Sequence, residues 1–296
     1  MASQQDIRRR IQSVQSTKKI TKAMEMVAAA RLRRAQQRTE AARPYTENML
    51  EFIGGMARYL QSDVSGSPLI LQHAEVNTVA IVLITADRGM CGAFNSNVVR
   101  RAVEHVREYE AQGKNTYLVP VGRKGINTLR FQGFTLYNTY ADITDQTAFL
   151  ESQALARRAC ARYVSGEIDR MHLIYNRFKS AMDQTVVDQV ILPVQEELAP
   201  AYTVQGAPHY MDFIYEPSES QILNDLIPAY VEMTVFGAML DSMAGEHGAR
   251  MTAMRNASDA ASEMIDDLTL AMNRVRQASI TNEILEVVAG ADALAG

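Results

Sequence analysis

Cys91 sits in the turn ADRGMCGAFN, residues 86–95, between an apolar run and a helical pattern that opens near Asn95. A thiol beside a helix N-terminus can have a lowered pKa and act as a nucleophile, but no histidine and acid pair stands near it in the sequence to activate it. The same turn, with Gly89 and Gly92, has the strand-turn-helix setting of a phosphate-binding loop. It has neither G-x-G-x-x-G nor G-x-x-x-x-G-K-[ST], so the amides and the lysine that would wrap a phosphate are missing. Gly122 and Gly125 around Arg123 and Lys124 make a second anion-friendly turn, although a tight connection needs glycine for steric reasons alone. The histidines, His73, His105, His172, His209 and His247, are scattered, with no H-E-x-x-H, and Cys91 and Cys160 form neither a disulfide framework nor a metal-binding spacing. No catalytic residue, cofactor or metal is therefore expected, and the cysteine usage fits a reducing cytoplasm.

The elements around these turns alternate. Residues 79–85 (VAIVLIT) are continuously apolar, as a strand buried on both faces requires. A helix follows from near Asn95 to before Gly113, then a strand at 116–121, the turn GRKG, and a short helix to about Phe131. A third strand is predicted at 135–139, a helix at 148–165, and strands at 170–178 and 185–194. Such β-α-β alternation predicts a mostly parallel sheet with helices on its faces.

The two ends of the chain read differently. Residues 249–288 contain no glycine, proline or aromatic, and residues 1–43 contain none either. All eight prolines fall between Pro44 and Pro228. Alternate steps of four and three trace one narrow seam through Leu226, Tyr230, Met233, Gly237, Leu240, Ala244, His247, Met251, Met254, Ser258, Ala261, Ile265, Leu268, Met272, Val275, Ser279 and Asn282. A stripe this thin covers one partner helix, not a wide core. Without a proline from 229 to 288, the helix can run for roughly 90 Å at 1.5 Å per residue. At the N-terminus Ile7, Ile11, Val14, Ile20, Met24 and Val27 recur at approximate helical spacing. Two such helices separated by a domain can pair only antiparallel. The fold class is thus α/β, a long antiparallel coiled coil of terminal helices carrying an α/β domain, with boundaries at 1–60, 75–210 and 218–290.

Charge narrows the partners. Residues 1–43 hold eleven bases against three acids, although the whole chain has a net charge of -4. A basic helix can bind nucleic acid, lie on an anionic membrane, or sit inside an acidic protein. These bases surround most of the helix, which disfavours the membrane surface, because that needs one clean apolar face. No apolar run approaches 18 residues and the N-terminus is too polar for a signal peptide, so no insertion into a membrane is expected.

The stretches IRRRIQSVQSTKKITKAMEMVAAARLRRAQ, the RPY at 43–45, TADRGMCGAFN, FIYEPS at 213–218 and RQASITNEILEVVAGADAL span essentially the whole chain. Together they resemble the gamma subunit of F-type ATP synthases. The resemblance implies a non-catalytic central-stalk rotor, its coiled coil threaded through the alpha and beta hexamer. Its middle domain would be Rossmann-like, hold no nucleotide, and face the epsilon subunit and the membrane c-ring. It implies coupling or partner contacts at Met24, Arg250, Arg276, Gln277, Thr281 and Glu283, and lower-stalk contacts at Asp87, Arg88, Cys91 and Gly92. It further implies a peripheral position on the cytoplasmic face of a bacterial plasma membrane. Plastid members carry an insertion with a redox-active cysteine pair; residues 192–210 contain no cysteine, so thiol control is not expected. The remaining alternatives are a basic nucleic-acid-binding coiled coil, which no interleaved aromatic supports, and a nucleotide-binding Rossmann-like enzyme.

Overall fold

The computed structural model describes residues 4–59, 68–194 and 219–295. FIYEPS and residues 195–210 of the expected middle domain lie outside the described residues. The elements are α1 (Gln4–Tyr59), β1 (Thr78–Ile84), α2 (Phe94–Ala111), β2 (Asn115–Val121), α3 (Arg123–Phe131), α4 (Ala148–Val164), β3 (Arg170–Phe178), β4 (Gln184–Leu192) and α5 (Glu219–Ala295). By its contacts the chain divides into one unit of Met1–Ala28 with Met251–Gly296 and another of Ala29–Arg250.

In the larger unit the strands lie in the order β2-β1-β3-β4. β1 is parallel to both β2 and β3, while β4 returns antiparallel on β3. The alternation along β1 explains its unbroken apolar run. Ala80, Val82 and Ile84 face α4 and the start of α5, where Leu155, Ala156, Tyr163, Ile227, Val231 and Val235 are buried. Val79, Ile81 and Leu83 face α2, with Val98, Val99, Ala102 and Val106. Each fully buried Val, Leu or Ile contributes about 1.5 to 3 kcal/mol. Burial of Ile227, Tyr230 and Val231 carries α5 through Pro228, where the lost backbone bond and ring clash cost about 3 kcal/mol.

Two local expectations change. The strand expected at 135–139 is replaced by isolated bridges of Leu136 to Leu118 and, just beyond the range, Tyr140 to Val121, because the residues between Leu136 and Tyr140 stay polar or exposed. The GRKG turn contracts to Gly122, and α3 begins at Arg123. Gly122 has φ +94, and a Cβ there would lie 2.1 Å from the Thr85 carbonyl oxygen. Glycine is required at this point to let the chain pass.

In the smaller unit Ile7, Ile11, Thr21, Glu25 and Ala28 are buried on α1, and Val14 and Met24 are half-buried. Steps of four, three and seven connect the buried positions, which is the 3.5-residue period of a two-helix seam. This corrects the apolar series expected from sequence: Ile20 is 59% and Val27 54% exposed. The geometry of the seam selects Thr21, Glu25 and Ala28 over their more apolar neighbours. On α5, Met254, Ser258 and Ala261 are buried and Ile265, Leu268, Met272 and Val275 half-buried, as the narrow stripe predicts. Ser279 and Asn282 leave it and are exposed. Glu25 accepts from Arg255 at 3.1 Å across the pair. Antiparallel counting from that contact matches Gln4 with a position near Arg276, and residues 276–289 are all exposed. α5 therefore outruns α1.

Candidate functional site

Asp87, Arg88, Cys91 and Gly92 occupy the turn that leads from β1 into α2. Asn95, on the first turn of α2, holds it from within, accepting from the Ala86 amide at 2.8 Å through Oδ1 and donating to Cys91 Sγ at 3.2 Å through Nδ2. Arg250 of α5 is brought to the same turn. Its guanidinium donates to the carbonyls of Arg88 and Gly89 at 3.2 to 3.3 Å and pairs with Glu246 one helical turn earlier at 2.7 Å. Arg250 is 8% exposed, so these charge-assisted bonds, each worth about 1.5 to 3 kcal/mol, keep its charge solvated. The turn thus presents Arg88, Met90 and Gly92 to solvent from a clamped base.

The nucleophile reading of Cys91 fails on burial. The side chain is 2% exposed, and burial pushes its thiol pKa up in spite of the nearby Arg250 charge. Cys160 is pushed up to about 12, again mainly by burial. Both are core residues.

A cleft of about 620 Å³ opens at the carboxyl ends of β1 and β2, where open α/β sheets place ligands. Its walls mix Arg31, Arg34 and Arg88 with Asp87, Asp142 and Glu246. The amides that would cradle a phosphate are already used. Gly122 N donates to Tyr140 O and Lys124 N to Ala86 O; Arg123 N donates to Asp87, and Gly125 N to Thr85 Oγ1. The steric reading of Gly122 and Gly125 fits, since a Cβ there would lie 2.1 Å and 2.7 Å from atoms of Thr85.

On the paired helices Met24 is half-buried, within one turn of the Glu25 ion pairs to Lys22 and Arg255. The Lys22 hydrogen bond first, and Arg255 after it, hold the Glu25 carboxyl below its ordinary pKa despite its burial. Arg276, Gln277, Thr281 and Glu283 are exposed on the part of α5 that has passed the start of α1. Thr281 donates back to the Gln277 carbonyl at 2.9 Å, and Ser279 donates to Glu283 at 3.3 Å. Ile280, Ile284, Leu285, Val287 and Val288 lie exposed along the same stretch. The bases of α1 are exposed from Arg8 to Arg43.

Sequence reasoning missed one polar cluster. His105 on α2, His172 on β3 and Asp188 on β4 meet on the α2 face of the sheet, with Tyr109 and Arg101 beside them. Its signal was a carboxylate among the valines of the strand TVVDQVIL, which must find partners when buried.

Residues 3–294 match the ATP synthase family. An ATP synthase gamma chain of Moorella thermoacetica is 45% identical over 294 residues, covering 99% of this chain and all of that one. The central stalk and c-ring structure of the Tetrahymena thermophila mitochondrial ATP synthase superposes with a TM-score of 0.60 at 31% identity, over 81% of this chain and 99% of the other. The rotor of the Euglena gracilis mitochondrial ATP synthase shares the fold, with a TM-score of 0.63 at 18% identity over 94% and 98% of the two chains.

Proposed function

The chain belongs to the ATP synthase gamma chain family, and on that premise we propose that it is the central-stalk rotor, which turns ion flow through a membrane c-ring into ATP synthesis or hydrolysis at beta subunits. It is not itself a catalyst. The observation that carries this reading is the run 276–289 of α5, exposed and apolar at Ile280, Ile284, Leu285, Val287 and Val288. Among the described residues nothing buries this end of α5, and a contiguous apolar surface so exposed marks a contact with another protein. The alpha and beta hexamer supplies that cover, with α5 as the tip of the shaft.

The parts divide as 1–60 and 218–290 for the shaft and 75–210 for the base. Met24, Arg250, Arg276, Gln277, Thr281 and Glu283 serve coupling, and the exposed bases of α1 face acidic segments of the beta subunits. The turn of Asp87, Arg88, Cys91 and Gly92 serves the epsilon subunit and the c-ring. Rotation presents a different face of an asymmetric shaft to each beta subunit in turn. Each nucleotide site then shifts between states of unequal affinity for ADP, phosphate and ATP, because the shaft binds those states unequally. Among the described residues no helix is long and apolar enough to cross a membrane, and we place the chain peripherally on the cytoplasmic face. Neither nucleic-acid binding nor an independent nucleotide enzyme draws support from the family or from the occupied loop amides.

Reconstitution with alpha and beta subunits tests the reading. A bead fixed to the middle domain should turn during ATP hydrolysis, and a disulfide between α5 near Ala289 and a ring subunit should stop bead and turnover together until reduced. Coupled turnover that is identical in the cross-linked and reduced complexes, with no rotation in either, would overturn it.

A further inference from the structure

We propose that His105, His172 and Asp188 form a binding site for one divalent transition-metal ion, Zn2+ by donor type, which joins α2 to the β3 and β4 edge of the sheet. One ligand atom from each residue lies within 4.8 Å of the others. In a tetrahedral site with metal-ligand bonds of about 2.0 to 2.2 Å, neighbouring donors stand roughly 3.3 Å apart, so small side-chain adjustments bring the three into a coordination shell. His105 is 7% and His172 5% exposed, and the surrounding face of the sheet is apolar.

The outer ring nitrogens supply the second argument. A metal-bound imidazole carries no proton on the bound nitrogen and donates from the other, usually to an oxygen that fixes the ring. His172 presents Nδ1 to Asp188 at 2.8 Å and Nε2 to the Tyr109 hydroxyl at 2.8 Å. His105 presents Nε2 to Asp188 and Nδ1 toward the Glu108 carboxylate at 3.3 Å. Without a metal, a neutral His105 spends its single proton on Asp188 and turns a bare Nδ1 toward a carboxylate, and that buried atom has no hydrogen-bond partner. With a metal on Nε2 the proton moves to Nδ1, where the Glu108 carboxylate at 3.3 Å is the acceptor that a small side-chain turn engages, while His172 donates from Nε2 to Tyr109. Both rings are then satisfied. The only other way to satisfy both is an additional proton that makes His105 an imidazolium, and this is the competing occupant.

The local charge suits a dication. Among the described residues Arg101 pairs with Asp188 at 3.1 Å and with Glu104 at 3.5 Å, and the Glu108 carboxylate lies beside His105. Arg101 is 39% exposed at its side chain and can withdraw to Glu104 at the surface. Two imidazoles and one carboxylate select zinc-like ions over Mg2+ or Ca2+, which demand oxygen shells.

Titration of Zn2+ into the full chain, followed by calorimetry and thermal unfolding, tests the site. One equivalent should bind and raise the unfolding midpoint, and Mg2+ should do neither. His105→Gln and His172→Gln should lose the binding, Tyr109→Phe should weaken it about tenfold, and His73→Gln, at a separate His–Asp pair, should leave it unchanged. Because a ligand variant could fail to fold, Co2+ is added to the unaltered chain as well. A visible absorption band of a four-coordinate nitrogen and oxygen site, removed by EDTA, is expected. No saturable Zn2+ binding, retention of binding by folded His105→Gln, or a Co2+ spectrum of the free hydrated ion would each overturn the proposal in favour of the imidazolium.

Discussion

Asp241 shows how one carboxylate sets a pH dependence. It is 9% exposed with one oxygen unpartnered. Burial pushes its pKa from 3.8 to about 6, although Arg43 and Arg177 oppose the shift. A raised carboxyl pKa means the folded chain holds its proton more tightly than the unfolded chain. Stability from this group is present at low pH and falls as pH rises between about 4 and about 6, by roughly 2 to 3 kcal/mol. Asp241→Asn should therefore be more stable than the parent at pH 7 and should lose that slope, as thermal melts across this range would reveal; a variant less stable at pH 7 contradicts the burial argument. Gly122 and Gly113 offer a second contrast, since both have positive φ but only Gly122 has atoms crowding its missing Cβ. Gly113→Ala should cost about 1 to 2 kcal/mol from the backbone alone. Gly122→Ala should cost distinctly more, because Thr85 and its bonds to Val121 and Gly125 must move. Equal losses in urea titrations would mean the loop yields freely.

The paired helices are held by a seam one residue wide, and substitution there should follow position more than hydrophobicity. Ala261 is 7% exposed while Leu270 is 58% exposed. Ala261→Lys inserts a long charged chain between helices that approach closely at alanine and serine, and should cost about 1 to 3 kcal/mol from overpacking with further loss from desolvation. Leu270→Lys should change stability within about 0.5 kcal/mol. Comparison of the two by circular dichroism melts is decisive, because a hydrophobicity argument alone ranks them in the opposite order. Glu25 belongs to the same logic: a two-helix seam has no deep interior, so a charge is tolerated where Lys22 and Arg255 meet it.

As a rotor, the molecule must make and break its contacts with the ring at each step, so these contacts must be individually weak. Arg276 and Gln277 are exposed near the end of α5, and on the proposal that they touch the ring each replacement by alanine removes hydrogen bonding worth about 1 to 3 kcal/mol. Arg276→Ala and Gln277→Ala should lower ATP turnover of the reconstituted ring while leaving assembly intact on gel filtration. Loss of assembly would instead make the end of α5 a fixed anchor. The bonds of Arg250 to the Arg88 and Gly89 carbonyls lie within the larger unit and hold the turn after β1 in place.

Much of this was legible in composition and period. The unbroken apolar run of β1, the glycine-free stretches 1–43 and 249–288 and the narrow stripe of α5 follow from local rules, because a strand buried on both faces and a helix touching one partner leave patterns that few other structures produce. The choice of Thr21, Glu25 and Ala28 over Ile20 and Val27 was not legible, since the phase of a seam depends on where the partner helix lies. The same holds for the meeting of His105, His172 and Asp188, whose spacing of 67 and 16 residues has no local meaning until β3 and β4 pair and α2 packs across them. Nor could sequence decide that Cys91 is inert or that the amides of the glycine turn are spent. Burial and hydrogen-bond partners are properties of the neighbours that folding brings together.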